Sequence, residues 1–335
     1  MFRRIINLGL TTAAAVGAAL SAAAAGAVTT AAYAAPGAAP APAITGNLFA
    51  NVSGGGALLA GGGVTGVTHI GSGRYEVTFS ANVSRCAYVA TTVNAHSQAM
   101  QAFTAGGHLS ANGVYVETKN QGGGLMDGPF NLVVDCGQPG WSYAVVGYHG
   151  NLVRSSPGVT LSSPGTGRYD LTFPSNVANC AYLATVGDPG NALVFNPNGV
   201  YTGSGPGPRV VYVETKNIGG GLSPGIPFHL AVICPSAART RIAVVWANGL
   251  INRGSPLTSS LSTAIGHYAV VTNQAVGRCA TVATRGSANT AVPFDPATVE
   301  ITPGPAFNTV SIQVRGLLFF GGNFADEAFH SAIVC

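Results

Sequence analysis

Residues 73–91 read GRYEVTFSANVSRCAYVAT, residues 167–185 read GRYDLTFPSNVANCAYLAT, and residues 266–284 read GHYAVVTNQAVGRCATVAT. In all three the tyrosine precedes the cysteine by 11 positions: Tyr75 and Cys86, Tyr169 and Cys180, Tyr268 and Cys279. A second block follows the first in each copy. Val114–Asn120 (VYVETKN), Gly122–Gly124 and Pro129–Cys136 (PFNLVVDC) match Val211–Asn217, Gly219–Gly221 and Pro227–Cys234 (PFHLAVIC). The third copy keeps Ile312-Gln313-Val314 and Phe329–Cys335, with the same phenylalanine-to-cysteine spacing of 6. The copies recur every 94 to 101 residues, cysteine to cysteine. That period is too long for a solenoid unit and suits a domain with its own core.

Within each copy the apolar residues alternate. Tyr75, Val77 and Phe79 are interleaved with Glu76 and Thr78, the two-residue period of a half-buried strand. Short runs rich in Val, Tyr, Thr and Phe are separated by Gly, Pro, Asn and Ser clusters, and no segment sustains a helical period. Seven or eight strands per copy predict an all-β protein of three tandem antiparallel β-sandwich domains, immunoglobulin-like or jelly-roll-like. The immunoglobulin label itself lacks its core tryptophan after the first cysteine and its tyrosine two residues before the second. The expected boundaries are a signal peptide at 1–34, an Ala/Pro-rich linker at 35–46, and repeats at 47–137, 138–235 and 236–335.

The six cysteines fall two to a copy at matching positions. Domains that each close on themselves predict the pairs Cys86–Cys136, Cys180–Cys234 and Cys279–Cys335. A structural zinc site needs clustered ligands, and the chain has no CxxC or HxxxH. At the N-terminus, Arg3 and Arg4 precede an Ala/Leu/Val-rich stretch that ends in Ala32-Tyr33-Ala34, the pattern of a cleavable export signal. Export, with no membrane span after cleavage, predicts a secreted or wall-associated protein.

Composition narrows the function. Charged residues are only 8% of the chain, and the net charge is +4 with basic residues scattered singly, so no nucleic-acid stripe exists. Glycine, at 47 residues, shows no Gly-X-Y period, which rules out collagen. Glu117 and Glu214 match across copies, as do Lys119 and Lys216, and read as ion pairs. Two glycosidase carboxylates would have to share one site. Arg315 reads as the third copy's replacement for that glutamate. His229 and His330 share one repeat position that holds Asn131 in copy one, and read as hydrogen-bonded strand residues. Asp326-Glu327 reads as a solvated acidic loop. Trp141, Trp246 and Tyr148 are the candidate ligand contacts, since an aromatic on an open sheet face can stack on a sugar ring.

The pattern Gly-x-Tyr-x-Val-x-Phe, Val, Cys-Ala-Tyr-x-Ala-Thr, ending Phe-His-Leu-x-Val-x-Cys, resembles a repeat of uncharacterised secreted bacterial proteins over residues 48–335. The resemblance implies an exported β-rich module and carries no catalytic residues over. The expected function is a non-enzymatic, structural or adhesive extracellular protein without cofactor or metal. The alternative is an array of carbohydrate- or receptor-binding modules. Envelope glycans, other surface proteins, or further copies of the chain are the expected partners.

Overall fold

A computed structural model describes residues 33–34, 46–93, 99–192, 198–256, 258–290, 297–316 and 323–335. The expected signal peptide and linker lie almost wholly outside them. The described residues form strands and no helix. A two-residue strand, β1 (Tyr33–Ala34), precedes the first copy. Copy one holds β2 (Leu48–Val52), β3 (Leu58–Gly62), β4 (Val64–Gly71), β5 (Arg74–Phe79), β6 (Ala87–Thr92), β7 (Met100–Gly106), β8 (Gly113–Asn120) and β9 (Phe130–Asp135). Copy two holds β10 (Trp141–Val146), β11 (Leu152–Ser155), β12 (Thr160–Gly165), β13 (Arg168–Thr172), β14 (Ala181–Val186), β15 (Asn198–Ser204), β16 (Val210–Asn217) and β17 (Phe228–Ile233). Copy three holds β18 (Thr240–Val245), β19 (Ile251–Gly254), β20 (Ser259–Ala264), β21 (His267–Val271), β22 (Ala280–Thr290), β23 (Ala297–Pro303), β24 (Thr309–Gly316) and β25 (Phe329–Val334).

Each copy repeats one topology. An inner set pairs in the order β3-β2-β9-β6, β11-β10-β17-β14 and β19-β18-β25-β22, and an outer set in the order β4-β5-β8-β7, β12-β13-β16-β15 and β20-β21-β24-β23. Every pairing inside a copy is antiparallel. The alternation read from the sequence decides which face is covered. Tyr75, Val77 and Phe79 of β5 and Val114 and Val116 of β8 meet Leu132 and Val134 of β9 in one apolar cluster, closed at one end by Cys86 and Cys136. Gly73, Gly167 and Gly266 each turn the β4-β5 type of hairpin at positive φ (64°, 62° and 66°). A Cβ on Gly73 would stand 2.5 Å from the Thr118 carbonyl, so the first residue of the motif has to be glycine.

The three disulfides pair as expected, with loops of 50, 54 and 56 residues. Disulfides of this kind persist in oxidising compartments. Replacing Cys180 and Cys234 together by alanine should cost about 4 kcal/mol through the unfolded-state entropy of a 54-residue loop. Chemical denaturation against the parent chain measures it.

The copies are not separate bodies. Residues 31–335 form one compact unit. Strand β15 pairs in parallel with β22, fusing the outer set of copy two and the inner set of copy three into one mixed sheet. The equivalent parallel contacts are Thr104 with Gly187, between copies one and two, and Val93 with Ile301, between copies three and one. Three equivalent contacts that run one to two, two to three and three to one close a ring. At its centre lies a single apolar cluster drawn from all three copies, including Val89, Leu183 and Val282, which occupy one repeat position. The expectation of three tandem domains left open how the copies pack, and these side chains bury one another across the copies.

A candidate binding cleft at one of three seams

The threonine that ends Cys-Ala-x-x-Ala-Thr builds each seam. Strand β6 is an edge of its sheet, so alternate backbone groups have no strand partner. Thr185 of copy two supplies one: its hydroxyl accepts the Ala90 N–H (2.9 Å) and donates to the Ala90 carbonyl (3.1 Å). Thr284 does the same for Ala184 (2.8 and 3.0 Å), and Thr91 for Ala283 (2.9 and 3.1 Å). Three hydroxyls thus satisfy six buried backbone groups that would otherwise cost about 1–3 kcal/mol each.

Two seams carry a further stack. At the seam of copies one and two, His229 accepts the Tyr88 N–H on Nδ1 (3.1 Å), and its Nε2 donates to the Asp188 carbonyl (3.0 Å). Its ring stacks on Tyr88, and the Arg154 guanidinium lies over that phenol while its Nε donates to the Cys86 carbonyl. The seam of copies two and three repeats this with His330, Tyr182, Arg253 and the Cys180 carbonyl. Burial first, and the nearby arginine second, push His229 down to about 3, and the same causes hold His330 well below the usual imidazole range. Both rings are therefore neutral acceptors, the state their Nδ1 bonds require. The reading of these histidines as hydrogen-bonded strand residues holds, and their partners belong to the neighbouring copy.

The third seam lacks all three members of the stack. Strand register equates Thr281 with Tyr88 and Tyr182, Asn131 with His229 and His330, and Ala60 with Arg154 and Arg253. Asn131 donates instead to the Thr281 carbonyl (2.9 Å), and its Oδ1, buried with the rest of the side chain, has no partner among the described residues. The two sister seams are too close for a side chain at Gly187 and Gly286. A Cβ there would stand 2.5 Å from Thr104 Oγ1 and 2.2 Å from the Thr202 carbonyl. The third seam has Val93 at this position, paired with Ile301. What results is a cleft of about 400 Å³ lined by Asn131, Thr281, Val276, Ile301, Pro303 and Phe307, among others. Its size is that of a small-molecule site, roughly 300–1,000 Å³.

Other candidates are accounted for structurally. Lys119 pairs with Glu117 (2.7 Å) and Lys216 with Glu214 (3.4 Å) within their own strands, flanked by Arg74 and Arg168. Arg315 is the counterpart of Lys119, not of the glutamate. Gln313 stands where Glu117 does, and the acid reappears one strand away as Glu300, which faces Gln313 and pairs with Arg315. Pairwise charge balance is thus kept by moving the carboxylate across the sheet. The acidic pair lies in a loop with Asp326 exposed, as expected, and it is also anchored: Asp326 accepts the Gly266 N–H and Glu327 pairs with Arg285. On the ring axis, beyond the threonines, lies a small pocket of about 80 Å³ lined by equivalent residues of all copies. Among the described residues no group of three His, Cys, Asp or Glu comes together to hold a metal.

Of the aromatic candidates, Trp141 is buried in the central cluster, and Trp246 packs against that cluster while staying partly exposed. Tyr148 is 43% exposed, at the lip of a shallow recess shared with His149, Ser163 and Tyr169. Sequence reasoning missed the cleft, although its signals were present: the Asn131 and Thr281 departures were both visible, but in different copies. Compared with known proteins, the chain matches no family model, no curated protein and no solved structure.

Proposed function

We propose that this is a secreted, non-enzymatic extracellular protein with a structural or adhesive role, its three sandwich-like copies locked into one rigid ring. The observation that carries this reading is the character of the outer edges. Strands β3 (LLAGG), β4 (VTGVTHIG) and β20 (SSLSTA) end their sheets, and none contains Lys, Arg, Asp, Glu or Pro. Edge strands of proteins that stay apart usually carry such residues to block pairing with another chain. Leu59 and Leu261 stand exposed on these edges. Neutral, unblocked edges suit contact with a second copy, another surface protein or an envelope polymer.

Light scattering of residues 35–335 over a concentration series, with sedimentation against purified cell-wall polymers, tests this. Self-association or polymer binding is expected, and should be lost in the variant Thr68→Lys/Leu261→Lys, which charges two edges. A monomer at every concentration that also ignores the polymers would defeat the reading. The lectin-like alternative is favoured by one observation, the exposed Tyr148 beside its recess. Saturable binding on a glycan array that disappears with Tyr148→Ala would put it first.

A further inference from the structure

We infer that the cleft at the seam of copies three and one is a binding site for a phenol-type aromatic ring, entering where the sister seams place a tyrosine of the chain itself. This stands apart from adhesion by the edge strands and survives if that reading fails.

The sister seams define what the cleft accommodates. Tyr88 places a phenol between the His229 ring (4.8 Å between centroids) and the Arg154 guanidinium (5.6 Å), and Tyr182 does so between His330 (4.9 Å) and Arg253 (4.9 Å). Each phenol hydroxyl donates to a carbonyl five residues earlier: Tyr88 to Val83 (2.7 Å) and Tyr182 to Val177 (3.0 Å). In copy three that carbonyl is Val276, which lines the cleft and has no tyrosine hydroxyl to receive. The shortening of Tyr to Thr281 and His to Asn131 therefore falls on the lining of the cleft, and the Val276 carbonyl, which like Val83 and Val177 accepts a cysteine N–H, keeps its second lone pair for a ring hydroxyl.

The chemistry of the walls selects the ring. Val93, Val276, Ile301 and Pro303 offer apolar contact, and Phe307, 76% exposed, stands at the mouth. The lining also presents hydrogen-bond acceptors. The Cys279 carbonyl receives no guanidinium, unlike its counterparts at Cys86 and Cys180, and Asn131 Oδ1 is buried without a partner among the described residues. A buried acceptor left in this state costs about 1–3 kcal/mol, which a hydrogen-bond donor on a ligand would recover. Among the described residues, no charged side chain lines the cleft. The fitting ligand is thus a flat, uncharged ring that carries a hydroxyl donor, whether a free phenolic compound or the tyrosine side chain of another protein.

The test is titration of mature chain with p-cresol, followed by calorimetry and by amide chemical shifts. Saturable binding tighter than about 1 mM is expected, with shifts at Thr281 and Asn131. Toluene, which lacks the hydroxyl, should bind about tenfold more weakly. N-acetyltyrosinamide separates the sources: binding equal to p-cresol points to a partner's tyrosine, and binding of p-cresol alone to free phenols. The variant Ala60→Arg/Asn131→His/Thr281→Tyr rebuilds the sister stack and should abolish binding while raising the melting temperature. Thr281→Tyr alone, a smaller change, should weaken binding at least tenfold and serves if the triple variant does not fold. No saturation by the parent chain, or equal binding by the filled variants, overturns the proposal.

Discussion

Leu183→Asp is expected to unfold all three copies together, with a loss of about 6–12 kcal/mol. Leu183 is fully buried on the ring axis with its counterparts Val89 and Val282, in a cluster of apolar side chains. Removing the leucine contributes about 2–5 kcal/mol. Forcing the buried aspartate to take up a proton, a shift of some 3–5 pH units at 1.36 kcal/mol each, contributes the rest. The ring makes the effect global, because among the described residues the axis cluster is the one core to which all three copies contribute. Differential scanning calorimetry of the milder Leu183→Ala gives the decisive measurement. One transition that moves as a whole is expected. A shift in only about a third of the unfolding enthalpy would show that the copies melt independently.

Acid should be the second large effect. His229 is held near 3 in the folded chain against about 6.5 when unfolded, so below pH 6.5 the unfolded state binds a proton that the folded state refuses. Stability is lost as pH falls through that window, by about 5 kcal/mol at pH 3 from His229 alone, and His330 acts in the same direction. Two carboxyls oppose it. Burial, first among the causes, raises Asp135 and Glu300 to about 7, so they take up protons in the folded state before the unfolded state does. Their contribution grows as pH falls from 7 towards 4 and is then complete, at about 3–4 kcal/mol each. The parent chain should therefore hold nearly constant stability from pH 7 to about 4.5 and collapse below 4. Asp135→Asn/Glu300→Gln removes the opposing uptake, and denaturant midpoints for this variant should fall steadily from pH 6.5. A midpoint that stays level to pH 4 would mean that the seam imidazoles take up protons while folded.

Much of the architecture could be read along the chain. The alternation of Tyr75, Val77 and Phe79 marked a strand with one covered face, and the cysteine spacing assigned all three bridges, because each of these patterns lies within a single copy. Arg315 shows the limit: a one-dimensional alignment set it against Glu117, and only strand register pairs it with Lys119 and brings Glu300 from another strand to replace the missing acid. Trp141 and Trp246 could not be sorted into exposed or covered without the axis against which they pack.

The sequence by itself determined the repeat, its strands, its disulfides and its turn glycines, all consequences of local sterics, two-residue alternation and short-range spacing. The tertiary structure decided that the copies close into a ring. The unfilled backbone groups of β6, β14 and the first half of β22 need hydroxyl partners, and a neighbouring copy supplies Thr185, Thr284 and Thr91 across 95, 100 and 192 residues of chain. It also decided that Asn131 and Thr281, 150 residues apart, meet at one seam. Neither position carries a local signal of the other, so the cleft between them exists only once the third copy has come round to the first.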